Sequence, residues 1–504
     1  MKAYPSVRRR PWAGLLLLAA LPGCTLIPNY KRPSLPVAPA WPTGAAYHAS
    51  GAGQIGTAAS DLGWRDFFVD PRLRALIALA VRENRDLRSA ALSVIEAQGQ
   101  YRVQHAALFP QINGTGQSIY TAPSNNGGFA FAPGLGRNGV GTFRFYQAGI
   151  GFSSYEIDLF GRIRSLSREA SDQMLSQVAN QRALVISVIS QVATAYVAWL
   201  ADCEQLRVTE QTLASQQDTL RLTQARFDRG EADQLTLRQT ETQVEQAAAN
   251  RAQYQRMIAQ DENQIVLLVG APLPADLPPP APFGRQTILA DLPAGLPSDL
   301  LDRRPDVLSA EFALKSANDD IGAARAAFFP RLILTASDGV SSLQFRNLFT
   351  SGATTWSINP QLQVPLLTWG QTEGSLQVSK ARRDERLMAY EKAIQSAFQD
   401  VSNALAARAT YLEQGRQLDA LVNSSADAYR LARMRFDSGV DSYLTTLDSQ
   451  RALYTAQQSQ ISVQEARYQN LITVYRALGG GWNERTARAV ARAANGTAPV
   501  PGAG

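Results

Sequence analysis

The pentapeptide Arg226-Phe227-Asp228-Arg229-Gly230 returns 209 residues later as Arg435-Phe436-Asp437-Ser438-Gly439. The same spacing carries Phe160-Gly161 onto Trp369-Gly370 and Gly270 onto Gly479. The chain is a tandem duplication, so its fold must build one unit twice. In each copy the pentapeptide ends a long run of helical pattern with a Gly suited to a left-handed residue, and a second helical run follows within a few residues. Two helical hairpins are expected, with Phe227, Gly230, Phe436 and Gly439 at their tips.

A second pair of matching segments has a different offset. Asp86 to Pro110, ending Ala106-Ala107-Leu108-Phe109-Pro110, matches Asp306 to Pro330, ending Ala326-Ala327-Phe328-Phe329-Pro330, at 220 residues. The 11-residue difference falls between Pro110 and Gly161, where the helical period stops. Length variation confined to one segment of a repeat marks a surface loop. In the second copy Trp356, Ile358, Leu362, Val364 and Leu366 alternate with Ser357, Asn359, Gln361 and Gln363, and period two predicts a strand. Its length suits a tilted transmembrane strand of ~9–11 residues, although a soluble sheet edge would carry the same pattern. Each repeat supplies a strand pair, at about 111–160 and 331–367, with a Gly/Ser/Asn-rich loop between its strands. Four strands cannot close in a membrane, because the smallest bacterial barrels have ~8 and an open edge leaves backbone groups unpaired. Strands in lipid would therefore require several chains, and three would give twelve strands.

After Gly161 and Gly370 the helical period resumes. Arg162 to Phe227 would rise about 100 Å at ~1.5 Å per residue. Leu206, Leu213, Leu220 and Phe227 follow a sevenfold spacing, as do Val422, Tyr429 and Phe436, and on the return helix Leu447, Tyr454, Ile461, Tyr468 and Tyr475. That repeat predicts left-handed coiled-coil packing. Ala183 to Ala201 carries no charge and could pass for a membrane helix, but its repeat partner Lys392 to Thr410 contains Asp400 and Arg408. Two copies of one element share an environment, which argues against a membrane helix.

The first residues read as an export signal over 1–23, with Arg8, Arg9 and Arg10 before an apolar run too short to span a bilayer. Leu21-Pro22-Gly23-Cys24 looks like a bacterial lipobox with Cys24 as the lipidated residue, Pro22 standing where a small residue is more usual. Thr25, which is not Asp, favours the outer membrane in that pattern. Residues 1–23 hold four basic and no acidic side chains, which leaves 45 Lys+Arg against 43 Asp+Glu. The pI of 9.3 therefore does not indicate nucleic acid. Cys203 alone remains and cannot form an internal disulfide. Residues 24–63 read as a Pro-rich extended arm, 64–270 as the first repeat, 271–300 as a Pro-rich linker, 301–481 as the second repeat and 482–504 as a tail.

These residues resemble the outer-membrane factor family, the TolC/OprM-type lipoprotein channels. The resemblance rests on the lipobox with Thr25-Leu26-Ile27-Pro28-Asn29-Tyr30-Lys31-Arg32-Pro33, the paired Ala-Ala-x-Phe-Pro segments, and Asp158-Leu159-Phe160-Gly161-Arg162. It rests also on Pro297 to Asp306 and on Gly439-Val440-Asp441-Ser442-Tyr443-Leu444-Thr445-Thr446-Leu447-Asp448. It implies a mixed α/β membrane protein: a homotrimer with a 12-stranded outer-membrane barrel continued by an α-helical coiled-coil tunnel through the periplasm. It implies a passive duct in a tripartite efflux pump, docked to a periplasmic adaptor and an inner-membrane transporter of the resistance–nodulation–division class. By the same resemblance Leu444 and Asp448, one helical turn apart, form rings at a periplasmic gate. Phe227, Gly230, Phe436, Gly439 and Asp441 lie where the adaptor would dock, Asp441 also suiting a helix cap. An enzyme is not expected. His48 and His105 have no Cys partner for nucleophilic or zinc chemistry, no phosphate-binding Gly loop is present, and no cofactor or metal is called for. Two other readings share much of this pattern: the duct of a type I protein-secretion system, and a pore-less periplasmic coiled-coil lipoprotein.

Overall fold

A computed structural model describes residues 25–47, 59–122, 128–129, 132–133, 143–284 and 300–486. The signal segment with Cys24, positions 48–58 of the arm, most of the loop 123–142, positions 285–299 of the linker and the tail from 487 lie outside the described residues. The helices of more than one turn are α1 (Pro71–Glu83), α2 (Arg85–Ala106), α3 (Arg162–Asp228), α4 (Gln234–Val269), α5 (Pro305–Ala326), α6 (Gln371–Asp437) and α7 (Tyr443–Ala477). The strands are β1 (Asn113–Thr121), the two-residue β2 (Gly128–Phe129) and β3 (Ala132–Pro133), β4 (Phe143–Ile157), β5 (Arg331–Ser342) and β6 (Thr354–Gln363). The chain divides into two compact units, one of Met1–Pro33, Ile95–Ser176 and Glu311–Met388, the other of the remaining residues.

The first unit holds an antiparallel sheet in the order β1-β4-β5-β6, so β1 and β6 are both edges. Its two faces differ in chemistry. One carries the rows Asn113, Gly151, Ser337, Ser357 and Thr115, Gly149, Gly339, Thr355. The other carries Phe152, Ala336, Ile358, then Tyr155, Leu334, Pro360, then Ile157, Leu332, Leu362. A bulge between Phe152 and Tyr155, with Ser154 at φ 59°, inserts the extra residue that keeps Tyr155 and Ile157 on the apolar face. Glycine is required at Gly149, where a Cβ would stand 2.6 Å from the Asp338 carbonyl oxygen. The last strand is shorter than its alternation predicts. Val364 and Leu366 lie beyond β6, and Pro365 between them has no N–H to continue a ladder.

The described start of the arm runs along α5. Arg325 Nη1 donates to the Leu26 carbonyl at 3.2 Å, and Asn318 Nδ2 to that of Pro28 at 2.9 Å. Glu311, whose side chain is 4% exposed, accepts from Arg32 at 2.7 Å and 3.2 Å, and from Tyr30 Oη at 3.3 Å, with Lys315 3.1 Å away. Burying this carboxylate is tolerable only because these donors surround it. Burial raises its pKa, but the bonds from Arg32 and Lys315 more than offset that, leaving it below the usual range.

Beside these contacts the same unit holds a carboxylate cluster. Glu169 and Asp172 of α3 face Asp319 and Asp320 of α5, among Arg168, Lys315 and Arg382. Burial, and then the charges of Asp320 and Asp319, push Glu169 up to about 7; burial and then Asp172 push Asp319 up to about 6. An acid whose pKa rises on folding is stabilising while protonated, and that contribution is lost as the pH climbs to the folded value. Melting temperature is therefore expected to rise on acidification from pH 8 to about 5, with Glu169→Gln flattening the slope. A slope unchanged in Glu169→Gln would contradict this assignment.

The second unit packs around aromatic rings. Phe67 stacks on Tyr475 with ring centroids 3.9 Å apart, and Tyr475 Oη donates to the Leu62 carbonyl at 2.6 Å. Asp70 caps α1 by accepting from the Arg72 N–H at 2.7 Å, and its other oxygen accepts from Tyr196 Oη at 2.8 Å. Among the described residues α3 alone is long and apolar enough to cross a membrane, yet Val192, Ala193 and Tyr196 of that stretch are fully buried in this core.

The duplication extends to single hydrogen bonds in this unit. Asn84 caps α2 through the Asp86 and Leu87 N–H groups and donates to the Leu268 carbonyl at 2.7 Å. Its counterpart Arg304 donates at 3.2 Å to the carbonyl of Ala477, the counterpart of Leu268. Gly270 and Gly479, at φ 77° and 80°, meet the carbonyls of Glu83 and Arg303 so closely that neither has room for a Cβ.

Sevenfold packing holds on α7, where Leu447, Ile461, Tyr468 and Tyr475 are buried. On α3 the seam lies elsewhere than predicted. Of the predicted row only Leu213 is buried, with Leu206 and Leu220 half-buried and Phe227 exposed, while the row Thr209, Gln216 and Thr223 is buried throughout. Polar partners explain the choice: Thr209 Oγ1 lies 2.8 Å from Tyr454 Oη, and Gln205 Nε2 donates to the Gln458 carbonyl at 3.1 Å.

Candidate gate at the hairpin tips

Each tip is closed by the same backbone device. The Gly230 N–H donates to the Phe227 carbonyl at 2.8 Å and the Glu231 N–H to that of Arg226 at 2.9 Å; Gly439 and Val440 repeat both bonds to Phe436 and Arg435 at 2.9 Å. These pairs tie off the last free carbonyls of α3 and α6. Gly230 and Gly439 lie at φ 79° and 72°, the left-handed conformation that the motif needs.

The two tips then diverge. At the first, Asp233 caps α4 by accepting from the Thr236 N–H at 2.6 Å, a bond that holds its pKa below the usual range. At the second, Ser442 stands at the cap position and makes no side-chain capping bond. Asp441 is not a cap either. Its carboxylate takes a fork from Arg435, at 2.6 Å to Nε and 2.9 Å to Nη2, because a planar guanidinium matches two carboxylate oxygens better than one N–H does. The first copy has Ala232 at this position, so only the second tip carries the fork.

The predicted tip residues are brought together in part. Phe436 is sandwiched: the Arg226 guanidinium lies 5.0 Å from its centroid and the Tyr443 ring 5.5 Å. Phe227 is exposed and, among the described residues, makes no ring contact of this kind. Tyr443, Thr446 and Leu447 are buried, with Thr446 Oγ1 donating to the Ala432 carbonyl at 3.2 Å. The opposite side of α7 presents Leu444 and Asp448, both exposed and on one face. The first copy has Leu235 and Gln239 at these places, so the acidic side chain belongs to the second hairpin alone.

Arg451, Gln243 and Asn250, none of them singled out from the sequence, join α7 to its neighbours. Arg451 Nε donates to Gln243 Oε1 of α4 at 2.9 Å. Tyr454 Oη, besides its contact with Thr209, accepts from Asn250 Nδ2 at 3.3 Å. Tyr454 stood in the sevenfold row, but a heptad position does not distinguish a packed ring from a hydrogen-bonding hydroxyl. Among the described residues no cluster of three or more His, Cys, Asp or Glu is placed to hold a metal. Cys203 is half-buried, and burial pushes its thiol up to about 11, which keeps it unreactive.

Comparison with known proteins gives concordant matches. The family described as outer membrane efflux protein matches residues 76–271 and again 296–480, once over each repeat. The toluene efflux pump outer membrane protein TtgC and the antibiotic efflux pump outer membrane protein ArpC, both from Pseudomonas putida, are each 43% identical over 470 residues, 93% of this chain and 95% of theirs. The crystal structure of the open state of the Neisseria gonorrhoeae MtrE outer membrane channel superposes with a TM-score of 0.83 at 36% identity, over 92% of this chain and all of that one.

Proposed function

We propose, from the premise that the chain belongs to the outer membrane efflux protein family, how it carries out efflux as a passive, gated duct. The family sets its place in the outer membrane. The observation that carries the duct reading is the sheet: rows of Gly, Ser, Thr and Asn on one face back rows of Ile, Leu, Phe and Tyr on the other, where Asp338 beside Trp356 is an acidic exception, and among the described residues both edges are free. Water on the polar side and lipid on the apolar side satisfy both faces, but the edges need partners because lipid offers no hydrogen bonds. Three copies supply them, as a barrel of twelve strands.

The relatives are named for toluene and antibiotic efflux, and small toxic compounds of those kinds are the proposed cargo. An adaptor docks at the tips near Phe227, Gly230, Phe436, Gly439 and Asp441, and a transporter of the resistance–nodulation–division class drives export. The chain itself does no chemistry. The gate is formed by Leu444 and Asp448, whose exposed side chains make an apolar ring and an acidic ring about the threefold axis. Lipid on Cys24 tethers the chain to the outer membrane. Opening swings α6 and α7 away from α3 and α4 at the tips, exchanging contacts such as Arg451 to Gln243 for solvent. Purified protein reconstituted in a planar bilayer is expected to give conductance steps that prefer cations. Absence of conductance from correctly inserted protein would overturn the duct reading.

A further inference from the structure

A crossing that α5 makes within the chain is not repeated, among the described residues, by the equivalent faces of α2 and α6. Inside the first unit α5 lies antiparallel to the first turns of α3. A Cβ at Gly322 would stand 2.7 Å from Ser165 Oγ, Asp319 and Asp320 face Glu169, and Lys315 faces Asp172. The repeat offsets carry α5 back onto α2 and the start of α3 forward onto the start of α6. Gly322 and Ser165 become Arg102 and Gly374; Asp319 and Glu169 become Gly99 and Val378; Lys315 and Asp172 become Ile95 and Ala381.

All six of these positions are exposed, and each set lies on one helix face at the spacing i, i+4, i+7. Ile95 is 62% exposed and Val378 49%. Gly99 and Gly374 have nothing within 4 Å of a Cβ, so no contact among the described residues accounts for a glycine inside either helix, where glycine is unfavourable. The chemistry pairs well across the two faces. Each glycine opposes a larger side chain, Val378 over Gly99 and Arg102 over Gly374, and Ile95 meets a small Ala381. The sheet edges agree: the same offsets carry the paired residues Ile157 and Leu332 onto Leu366 and Ile112, both exposed.

We propose that the α2 face of Ile95, Gly99 and Arg102 docks on the α6 face of Gly374, Val378 and Ala381 in a second copy of this chain. The contact reproduces between subunits the crossing that α5 and α3 make within one. It rests on the assembly reading above and fixes the register of its seam. It also explains why α2, unlike α5, is exposed over most of its second half.

The test is a pair of cysteines in the full chain with Cys203 replaced by Ala. Gly99→Cys with Val378→Cys, oxidised in detergent, is expected to convert most of the protein to covalent dimers and trimers on a denaturing gel. The mismatched pair Gly99→Cys with Ala381→Cys should remain largely monomeric. Ile95→Cys with Ala381→Cys carries the same test should Gly99→Cys disturb the helix. Mass in solution separates the two ways of failing. Trimeric protein in which matched pairs link no better than the mismatched one overturns the seam alone, whereas a monomeric protein overturns the assembly reading as well.

Discussion

Replacing Arg304 by Ala is expected to destabilise the folded protein by about 2–4 kcal/mol. The guanidinium is 10% exposed and makes five bonds. It forks onto Asp306 at 3.0 Å and 2.6 Å, reaches Asp400 at 3.2 Å, and donates to the carbonyls of Ala397 at 3.5 Å and Ala477 at 3.2 Å. It thereby ties the start of α5 to α6 and to the last turn of α7. Removing one partner of a buried ion pair costs about 3–5 kcal/mol, because the charge left behind cannot be solvated. Here Asp306 and Asp400 are 45% and 41% exposed and regain some water, which lowers the expected loss, while the two carbonyls lose their donor. Arg304→Lys should rescue little, since one ammonium cannot span the fork and both carbonyls. Denaturant unfolding in detergent checks both variants. A loss within about 0.5 kcal/mol of zero, as for an ordinary surface change, would contradict this account of the joint.

The second large effect is functional. Asp448→Ala is expected to raise the conductance of the isolated channel and to shift its cation preference several-fold toward none, without changing its melting temperature. The side chain is exposed, and the buried residues around it, Tyr443, Thr446 and Leu447, hold α7 in place without it. Three carboxylates on one axis repel each other unless a cation sits among them, and a cation held there excludes anions and occupies the constriction, so the alanine ring loses the preference and frees the passage. Leu444→Ser should add to the leak by wetting the apolar ring one turn away. Unchanged conductance and selectivity in Asp448→Ala would remove the residue from the gate.

Much of this molecule could be read from its residues, and what could not has physical reasons. The offsets of 209 and 220 located both hairpins, both strand pairs and the glycines that turn left-handed, because backbone sterics tie glycine to those turns. Alternation from Trp356 to Leu366 placed a strand with one apolar face, since a strand's side chains alternate whatever surrounds it, but ran past its end at Gln363. The family resemblance agrees with the matches over both repeats, and the relatives' names favour efflux over protein secretion. Apart from Leu213, the seam of α3 was misread because hydrophobic periodicity cannot detect a buried polar row such as Thr209, Gln216 and Thr223, the first of them bonded to Tyr454. Asp441 was misread because capping is a local rule, and it loses to a guanidinium six residues away that reaches both carboxylate oxygens. The arm was legible as extended but not as strapped to α5, a contact between residues almost 300 apart in sequence.

The central claim is that three chains close one barrel and one tunnel. Single-particle imaging of the detergent-extracted protein tests it most directly. The account predicts a hollow particle with threefold symmetry, twelve strands at one end and the α6 and α7 tips converging on the axis at the other. A monomeric or dimeric solid rod would contradict it, leaving the free edges of β1 and β6 unpaired and the gate without an axis.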